Sequence, residues 1–196
     1  MKLGICVPAR ENVNTKFAYC LAQLVSNLEL THEIFFEQGS ILPQQRINLV
    51  EQAINRDCTH ILFLDSDMIF PANIATELLK HDVDMVACNY VTRTKPYRST
   101  AFLETENFEK TLKKSEGLVE VAAVGLGIAL IRASVFENIP NPAFKFEWSS
   151  QYNSHMGEDI YFCELLKNSG YSIYVDASMS NRCAHIGETV CKMDVL

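Results

Sequence analysis

Two carboxylates two residues apart follow an apolar segment of this chain. The stretch ILFLDSDMIF (61–70) places Asp65, Ser66 and Asp67 directly after four large apolar residues, and apolar residues resume at once. Residues i and i+2 of a β-strand point to the same side, so Asp65 and Asp67 should project together if the strand persists. Like charges this close raise each other's pKa unless a cation lies between them. Because Mg²⁺ and Mn²⁺ favour oxygen ligands and also bind phosphates, the pair predicts a metal site that carries a diphosphate.

A structural explanation of the same pair stays open. Asp is common in turns, so Asp65 and Asp67 could simply end the strand and cap the next helix. A second D-x-D, Asp82-Val83-Asp84, precedes a strand rather than ending one, and we interpret it as a turn. The spacing alone therefore does not decide between a metal site and a turn.

A second acidic pair, Glu158-Asp159, follows Gly157 and precedes the predicted helix IYFCELLKNSG. Acidic residues in a first helical turn are stabilised by the helix dipole, by about 0.3–1 kcal/mol each, which is a sufficient structural reason for them. The functional alternative is a general base. The same dipole keeps a carboxylate ionised at neutral pH, so that it can accept a proton from an acceptor hydroxyl.

One histidine follows the last predicted strand, in the stretch RCAHIG (182–187). A lone histidine is more often structural or at the surface than a ligand. The imidazole nitrogen of His185 is nevertheless compatible with Mn²⁺ alongside two carboxylates. His185 is therefore a candidate third ligand.

Helices and strands alternate at short intervals in the first half of the chain. Strands are predicted over residues 3–8, 33–37, 60–65 and 84–91, and helices over 15–28, from Pro43, and from Pro71 to about Lys80. The strands are apolar on both faces, which is typical of a mostly parallel sheet covered by helices. Ligands bind at the carboxyl edge of such a sheet, which is where Asp65 and Asp67 fall.

The second half of the chain has a less regular pattern. It predicts strands over 98–103, 118–132 and 171–176, an irregular loop over 139–157 and a helix over 158–168. No linker divides the chain. We therefore predict a single α/β domain over residues 1–196, with a mostly parallel sheet flanked by helices and a small antiparallel addition in the C-terminal half.

The amino-acid composition indicates which classes of ligand and which cellular location are expected for this protein. Of 196 residues, 48% are apolar and 21% are charged, which is typical of a globular domain. The net charge of −7 argues against nonspecific binding of nucleic acid or anionic membrane, and an anionic ligand would need a local cation. No apolar run reaches the roughly 18–20 residues of a membrane span. Seven cysteines without a C-x-x-C motif favour reduced, buried thiols and a cytoplasmic location.

Several ordered motifs resemble those of nucleotide-sugar glycosyltransferases with the GT-A fold, most closely the family-2-like group. The motifs are Val7-Pro8-Ala9-Arg10, Arg46-Ile47-Asn48, the LDSD stretch, Gly125-Leu126-Gly127 leading into ALIRASVFENI, GEDIYFCELLKNSGY and AHIG. They extend over nearly the whole chain. Each motif is weak alone, and their order and spacing carry the resemblance. The chain is short for this family.

The resemblance implies metal ligands and catalytic residues. Asp65 and Asp67 would hold Mn²⁺ or Mg²⁺ on the donor diphosphate, and His185 would complete the metal shell. In inverting members the acidic pair supplies the base, which points to Asp159. Glu158 would then contact the acceptor or the sugar, although the two roles could be exchanged.

The resemblance also implies a donor-binding set. Its members are Pro8, Ala9, Arg10, Arg46, Asp65, Ser66, Asp67 and Gly127. The loop after the first strand would meet the nucleoside, and Arg46 lies where a base or phosphate contact is expected. Gly127 would let backbone approach the donor sugar, because glycine has no side chain.

Two further segments have a functional and a structural interpretation. The loop over 139–157 contains Phe144, Phe146, Trp148 and Tyr152, and long irregular segments are often lids or binding loops. Trp148 is a candidate acceptor platform because aromatic rings stack on sugars; alternatively, the rings anchor the loop on the core. The other segment, VTRTKPYRST, carries three cations that could contact phosphate or acceptor or could simply be solvated, namely Arg93, Lys95 and Arg98.

The implied function is metal-dependent transfer of a sugar, of the hexosyltransferase type, from a nucleoside diphosphate to a hydroxyl acceptor by inversion. Uridine diphosphate sugars are the favoured donors, guanosine diphosphate sugars are the alternative, and the acceptor is open. A retaining glycosyltransferase and a nucleotide-sugar-binding module without turnover also fit the motifs. A haloacid-dehalogenase-like phosphatase would use Asp65 as the nucleophile. It is disfavoured because the Asp65 strand is the third, and no G-D-x-x-x-D follows it.

Overall fold

The computed structural model of this protein describes residues 1–104, 110–150, 153–187 and 190–193. The side chains of Val190 and Cys191 are outside that description, as is Tyr152 of the predicted aromatic loop.

The strands and helices of the described residues are as follows. The strands are β1 (Leu3–Ala9), β2 (His32–Gln38), β3 (His60–Leu64), β4 (Met68–Ile69), β5 (Met85–Ala87), β6 (Ala101–Phe102), β7 (Leu118–Val121), β8 (Ala123–Val124), β9 (Ile128–Arg132), β10 (Glu147–Ser149), β11 (Ser154–Met156), β12 (Ile173–Asp176), β13 (Ala184–Ile186) and β14 (Val190–Cys191). The helices are α1 (Thr15–Asn27), α2 (Leu42–Ile54), α3 (Ile74–Leu79), α4 (Ala133–Asn138), α5 (Glu158–Asn168) and α6 (Ala177–Ser180).

A seven-stranded sheet forms the centre of the molecule. Its order is β2-β1-β3-β9-β5-β12-β7. Five strands run in the same direction, while β9 and β7 run antiparallel to their neighbours. The predicted α/β architecture, with a mostly parallel sheet and antiparallel strands from the C-terminal half, is confirmed. One of those strands, β9, lies in the middle of the sheet, between β3 and β5.

Alternate residues of the central strands supply two hydrophobic layers. In β3, Ile61 and Phe63 pack in one buried cluster, and Leu62 and Leu64 pack in the other. This follows from the period of two in a strand, which sends successive side chains to opposite faces. Helices cover both layers, which is why the strands are apolar throughout.

The helices present apolar stripes to these layers. On one side of the sheet, α1 buries Phe17, Leu21 and Leu24, and its first turn is capped by Asn14, whose side chain accepts from the Lys16 backbone N–H at 2.9 Å. On the other side, α2, α4 and α5 pack on the cluster that contains Phe63. Asn14 and the residues before it form the loop that connects β1 to α1.

Several short elements differ from the predictions or were not predicted. Helix α3 begins at Ile74 rather than at Pro71, because residues 71–73 form a turn closed by Ile74 N–H and the Pro71 carbonyl at 3.0 Å. The predicted irregular loop over 139–157 contains the hairpin β10–β11. Helices α4 and α6 are too short for a helical repeat of apolar residues to reveal them.

Two compositional predictions can be compared with the structure. Six cysteines are free and buried, as predicted: Cys6, Cys20, Cys58, Cys88, Cys163 and Cys183. Within the described ranges, none of the helices has the length and apolar character needed to cross a membrane.

Candidate functional site

A cleft opens at the carboxyl edge of the sheet, beside the ends of β1 and β3. Its volume is about 490 Å³. The lining residues are Pro8, Ala9, Arg10, Asn12, Gly39, Ser40, Leu42, Gln45, Asp65, Ser66, Asp67 and Arg93. Six of the predicted donor-binding residues therefore share one cavity, although they come from segments more than 50 positions apart in the sequence.

The floor of this cleft is held by a buried amide. The side-chain amide of Gln45, in α2, donates to the Ala9 carbonyl at 2.6 Å and to the Glu37 carbonyl at 2.7 Å. The Ala9 carbonyl also accepts from the Gly39 backbone N–H at 3.1 Å. These bonds fix the ends of β1 and β2 relative to each other, and so they fix the wall of the cleft.

The two aspartates of the D-x-D stretch both line the cleft but contact different partners. Strand β3 ends at Leu64, and the Met68 backbone N–H donates to the Asp65 carbonyl at 3.0 Å across a turn. The turn ends the period of two, so Asp65 and Asp67 face different partners. The predicted alignment of Asp65 and Asp67 depended on the strand continuing through residue 67, and β3 ends before Asp65.

Asp65 is bound by a buried arginine. One terminal nitrogen of Arg46, Nη2, lies 3.0 Å from Oδ1 and 3.3 Å from Oδ2 of Asp65. The Nε of the same guanidinium donates to Glu158 Oε1 at 3.2 Å. The guanidinium also lies over the Phe63 ring, 5.1 Å from its centroid. Arg46 therefore joins the end of β3 to the start of α5.

Burial makes this ionic network unusual. The side chain of Arg46 is only 1% exposed, and its Nη1 has no hydrogen-bond partner among the described residues. Burial opposes the charge of Arg46, but the carboxylates of Asp65 and Glu158 hold its pKa above the ordinary value. Burial also raises the pKa of Asp65, against the effect of Arg46. Sequence reasoning assigned Arg46 a nucleotide contact and missed this structural role.

A small second sheet brings Asp67 and His185 together. Strand β4 begins directly after Asp67 and pairs with β13, in which His185 is opposite Met68. The Ile186 backbone N–H donates to the Asp67 carbonyl at 2.8 Å. As a result, His185 Nε2 lies 3.4 Å from Asp67 Oδ2.

The hydrogen bonds of His185 suit a metal ligand. Its Nδ1 lies 2.9 Å from the Val91 carbonyl, which can only accept, so Nδ1 carries a proton. Nε2 faces the Asp67 carboxylate; a charged ring would donate a hydrogen bond to it, whereas a neutral ring would leave the Nε2 lone pair open to a cation. A cation between Asp67 and His185 would satisfy both groups, and a carbonyl partner on the second ring nitrogen is usual for metal-binding histidines.

The described residues do not form a complete metal site by themselves. No group of three or more His, Cys, Asp or Glu side chains converges on one point within the described part of the chain. Asp65 is bound by Arg46, which leaves Asp67 and His185 as candidate ligands. Mg²⁺ and Mn²⁺ often take their other ligands from water and substrate phosphates, and the imidazole nitrogen in this donor set suits Mn²⁺ better than Mg²⁺.

Asp67 remains ionised in this environment. Burial opposes its charge, but the hydrogen bond and charge of His185, together with Arg93, outweigh that effect, and the pKa of Asp67 lies below its ordinary value. The Arg93 Nη1 lies 2.7 Å from Asp67 Oδ2. Of the three cations considered in the 91–100 segment, Arg93 lines the cleft.

The second acidic pair begins α5, as predicted. Glu158 is buried against Arg46, whereas Asp159 is half-buried and accepts from the Ile160 backbone N–H at 2.8 Å. Burial and the neighbouring Glu158 raise the pKa of Asp159 to about 6, against the effects of that hydrogen bond and of Arg46. The helix dipole therefore does not keep this pKa low, but Asp159 is still mostly ionised at pH 7.

A tyrosine that sequence reasoning missed lies among these groups. Tyr90 follows β5, and its hydroxyl accepts from the Gly127 backbone N–H at 3.1 Å. Its ring meets that of His185 edge-on, with 5.1 Å between the centroids. A Cβ atom would lie 2.5 Å from this hydroxyl at Gly125 and 2.8 Å at Gly127. Both glycines therefore make room for Tyr90; a donor contact at Gly127 stays a prediction.

The aromatic residues of the 139–157 segment divide into two groups. Phe144 is buried, and its ring centroid lies 4.7 Å from that of Phe162 in the core. Phe146 is exposed, and so is Trp148, on β10, with 54% of its surface accessible. Trp148 contacts His155 of β11 edge-on, 5.1 Å between centroids, and β11 leads directly into Gly157. Its acceptor role stays a prediction.

Comparison with known proteins supports the fold. No protein-family model matches the chain, and no curated protein matches it in sequence. The crystal structure of A197 from STIV superposes with a TM-score of 0.64 at 20% identity, over 95% of this chain and 86% of that one. At this identity the likeness extends to the α/β architecture alone.

Two other proteins show weaker similarity. S. aureus TarS, residues 1–349, has TM-scores of 0.47 and, in complex with UDP-GlcNAc, 0.48, at 14% and 15% identity. Both matches cover 89% of this chain, which spans only 58% and 56% of those TarS chains. A nucleotide-diphospho-sugar transferase from Desulfovibrio desulfuricans G20, described as putative, has a TM-score of 0.48 at 10% identity, over 88% of this chain and 78% of that one.

Proposed function

We propose that this protein is a metal-dependent glycosyltransferase with a GT-A fold. It moves a sugar from a nucleoside diphosphate, with uridine diphosphate favoured, to a hydroxyl acceptor. Asp67 and His185 would hold Mn²⁺ or Mg²⁺, and Asp159 would act as the base of an inverting reaction. Pro8, Ala9, Arg10 and Ser66 would bind the donor in the cleft.

One observation carries this proposal: the pairing of Asp67 with His185 at the mouth of a cleft lined by the end of β1. A carboxylate oxygen and an imidazole nitrogen 3.4 Å apart offer a divalent ion two ligands. The cleft that Asp67 lines, about 490 Å³ in volume, has room for part of a nucleotide. A pair of metal ligands at the carboxyl edge of a mostly parallel sheet is suited to binding the ion that carries a diphosphate.

The chemistry divides between the donor and acceptor sides. When bound, a divalent ion would neutralise the diphosphate and stabilise the charge that develops on the departing oxygen. Asp67 and His185 would hold the ion and so orient the donor diphosphate. Arg46 keeps Asp65 and Glu158 in place behind it, so the turn after β3 has a fixed shape.

On the acceptor side, Asp159 would receive the proton of the attacking hydroxyl. With a pKa of about 6, the carboxyl group is ionised at neutral pH and is still more basic than an ordinary aspartate. This is the range in which a general base works well near pH 7. Glu158 is a poorer candidate because Arg46 binds its carboxylate at 3.2 Å.

The phosphatase alternative fits this geometry less well. It requires Asp65 to attack a phosphorus atom. Here both carboxylate oxygens of Asp65 lie within 3.3 Å of the buried Arg46. A nucleophile held in this way would have to leave its ion pair before it could react.

A thermal-shift screen tests the proposal. UDP-sugars and GDP-sugars are each added with and without Mn²⁺. A donor at 100 times its Kd stabilises the folded state by about 2.7 kcal/mol, which is about 5–10 °C in Tm for a domain of this size. We expect that shift to need Mn²⁺ and to disappear in Asp67→Ala.

The matched control is Asp82→Ala, which removes a carboxylate that is 86% exposed and lies at the opposite edge of the sheet. This variant should keep the full shift. If no nucleotide sugar stabilises the wild-type protein in a metal-dependent way, the proposed function is wrong. Release of UDP from a donor that binds separates an enzyme from a binding module, which would return the donor unchanged.

The pH dependence of transfer should follow Asp159. The base must be deprotonated, so kcat/KM should rise with pH through about 6 and level off above 7. About 91% of a group with this pKa is ionised at pH 7 and about 9% at pH 5, so the activity should fall roughly tenfold between them. The Kd of UDP at saturating Mn²⁺ is measured over the same range. A parallel change in that Kd would assign the pH dependence to binding rather than to Asp159.

A further inference from the structure

The Arg93 side chain lies beside Asp67 and His185, the two proposed metal ligands, where its charge can act on the Asp67 carboxylate or on a bound diphosphate. Its Nη1 is 2.7 Å from Asp67 Oδ2, the same oxygen that lies 3.4 Å from His185 Nε2. Arg93 also lines the nucleotide-sized cleft. We propose that Arg93 binds the donor diphosphate and that, before the metal ion arrives, its guanidinium neutralises Asp67 in competition with that ion. This inference rests on the proposed function.

The first support is the position of the Arg93 backbone. Arg93 lies between β5 and β6, in a loop whose base is closed by Thr92 N–H to the Arg98 carbonyl at 2.9 Å. A Cβ atom at Gly187, two residues after His185, would lie 2.9 Å from the Arg93 carbonyl oxygen. The lack of a side chain at Gly187 therefore lets the Arg93 backbone pack directly against the segment that carries the metal ligand.

The second support is the exposure of the Arg93 side chain. It is 58% exposed, whereas the other arginine of the site, Arg46, is 1% exposed and is bound to Asp65 and Glu158. Arg46 cannot leave its partners without leaving the buried Glu158 and the partly buried Asp65 unpaired. Because more than half of the Arg93 side chain is accessible to water, its guanidinium can be reached by an anion in the cleft as well as by Asp67.

The third support is the balance of charge. The charge of Arg93 offsets that of Asp67 while the two are paired, so the guanidinium is then less available to a diphosphate. A divalent ion on Asp67 and His185 would take over the carboxylate and add charge. The guanidinium would then face a diphosphate, which it can bind through two parallel hydrogen bonds. Metal and nucleotide should consequently bind with positive coupling.

The test is one substitution with opposite effects on two probes. Arg93→Ala removes the competitor, so the affinity for MnCl₂ alone, measured by electron paramagnetic resonance of free Mn²⁺, should rise about 2- to 5-fold. The same variant loses the diphosphate contact, so the affinity for UDP at saturating Mn²⁺, measured by calorimetry, should fall about 10-fold or more.

Arg56→Ala is the charge-matched control. Arg56 is 68% exposed and pairs with one carboxylate, Glu33, at 4.0 Å, away from the cleft. Arg56→Ala changes the net charge by the same amount as Arg93→Ala and should alter neither the affinity for Mn²⁺ nor the affinity for UDP. If Arg93→Ala and Arg56→Ala behave alike, or if Arg93→Ala weakens both probes, the inference is overturned while UDP binding by the wild type leaves the proposed function standing. Absence of UDP binding by the wild type would overturn both.

Discussion

Asp159→Asn should retain donor binding and lose sugar transfer. The amide has nearly the same shape as the carboxylate but cannot accept the proton of the acceptor, and removal of a general base typically lowers kcat about 10²- to 10⁴-fold. Asp159 does not line the nucleotide cleft. The Kd of UDP in the presence of Mn²⁺ should therefore change by less than about threefold. The rate is measured as UDP release, and the Kd by calorimetry.

The control for this substitution is Glu164→Gln in the same helix, α5. It makes the same change from carboxylate to amide one and a half turns further along, outside the proposed machinery, and kcat should stay unchanged. Full activity in Asp159→Asn would remove the base assignment and would favour the retaining alternative, which needs no such base. The anomeric configuration of the product, determined by NMR, decides between the two stereochemical courses.

Arg46→Met should cause a large loss of stability. The substitution leaves Asp65 and Glu158 without their buried cation, and breaking a buried ion pair from one side typically costs about 3–5 kcal/mol. The expected result is a decrease of that size in the free energy of unfolding, measured by urea denaturation. The loss should be accompanied by weaker Mn²⁺ binding, because the turn that carries Asp67 begins at Asp65.

Arg132→Met provides the comparison. Arg132 also contacts two carboxylates, Asp82 at 2.6 Å and Asp84 at 3.5 Å, but these carboxylates are exposed to water. Exposed ion pairs contribute about 0–1 kcal/mol, so this variant should stay close to the wild type. Equal decreases in the free energy of unfolding for Arg46→Met and Arg132→Met would show that the Arg46 network is not a main source of stability.

The parts of the fold that were predictable are those with a local signal. Strand β3 and its buried character follow from an unbroken run of large apolar residues, and α5 follows from an acidic first turn before apolar residues at helical spacing. The same signals placed Asp65 at the end of β3 and Asp159 in the first turn of α5, and the structure has both there. Other element ends were predicted less well, because α3 begins at Ile74 rather than Pro71 and β5 ends at Ala87 rather than residue 91.

The contacts of the site were less predictable, because they depend on residues far apart in sequence. Nothing near Arg46 in the sequence reveals that its partner is Glu158, 112 residues later. Tyr90 could have been noticed as a polar group near the end of a predicted strand, but its position depends on the space left by Gly125 and Gly127. The turn after Leu64 likewise gives the two carboxylates different partners, Arg46 for Asp65 and His185 for Asp67.

The central antiparallel strand β9 has a consequence for how this protein is assembled. It pairs with β3 and β5 on either side, so β1, β2 and β3 remain separate from β5 until β9 has been synthesised and inserted, and β7 joins the sheet only through the later strand β12. Contacts between distant segments slow folding, since a long loop must close before they form. His185 comes later still, from β13. During synthesis on the ribosome, the edge that holds the candidate site should accordingly be among the last regions to mature, so that an incomplete chain could not present it.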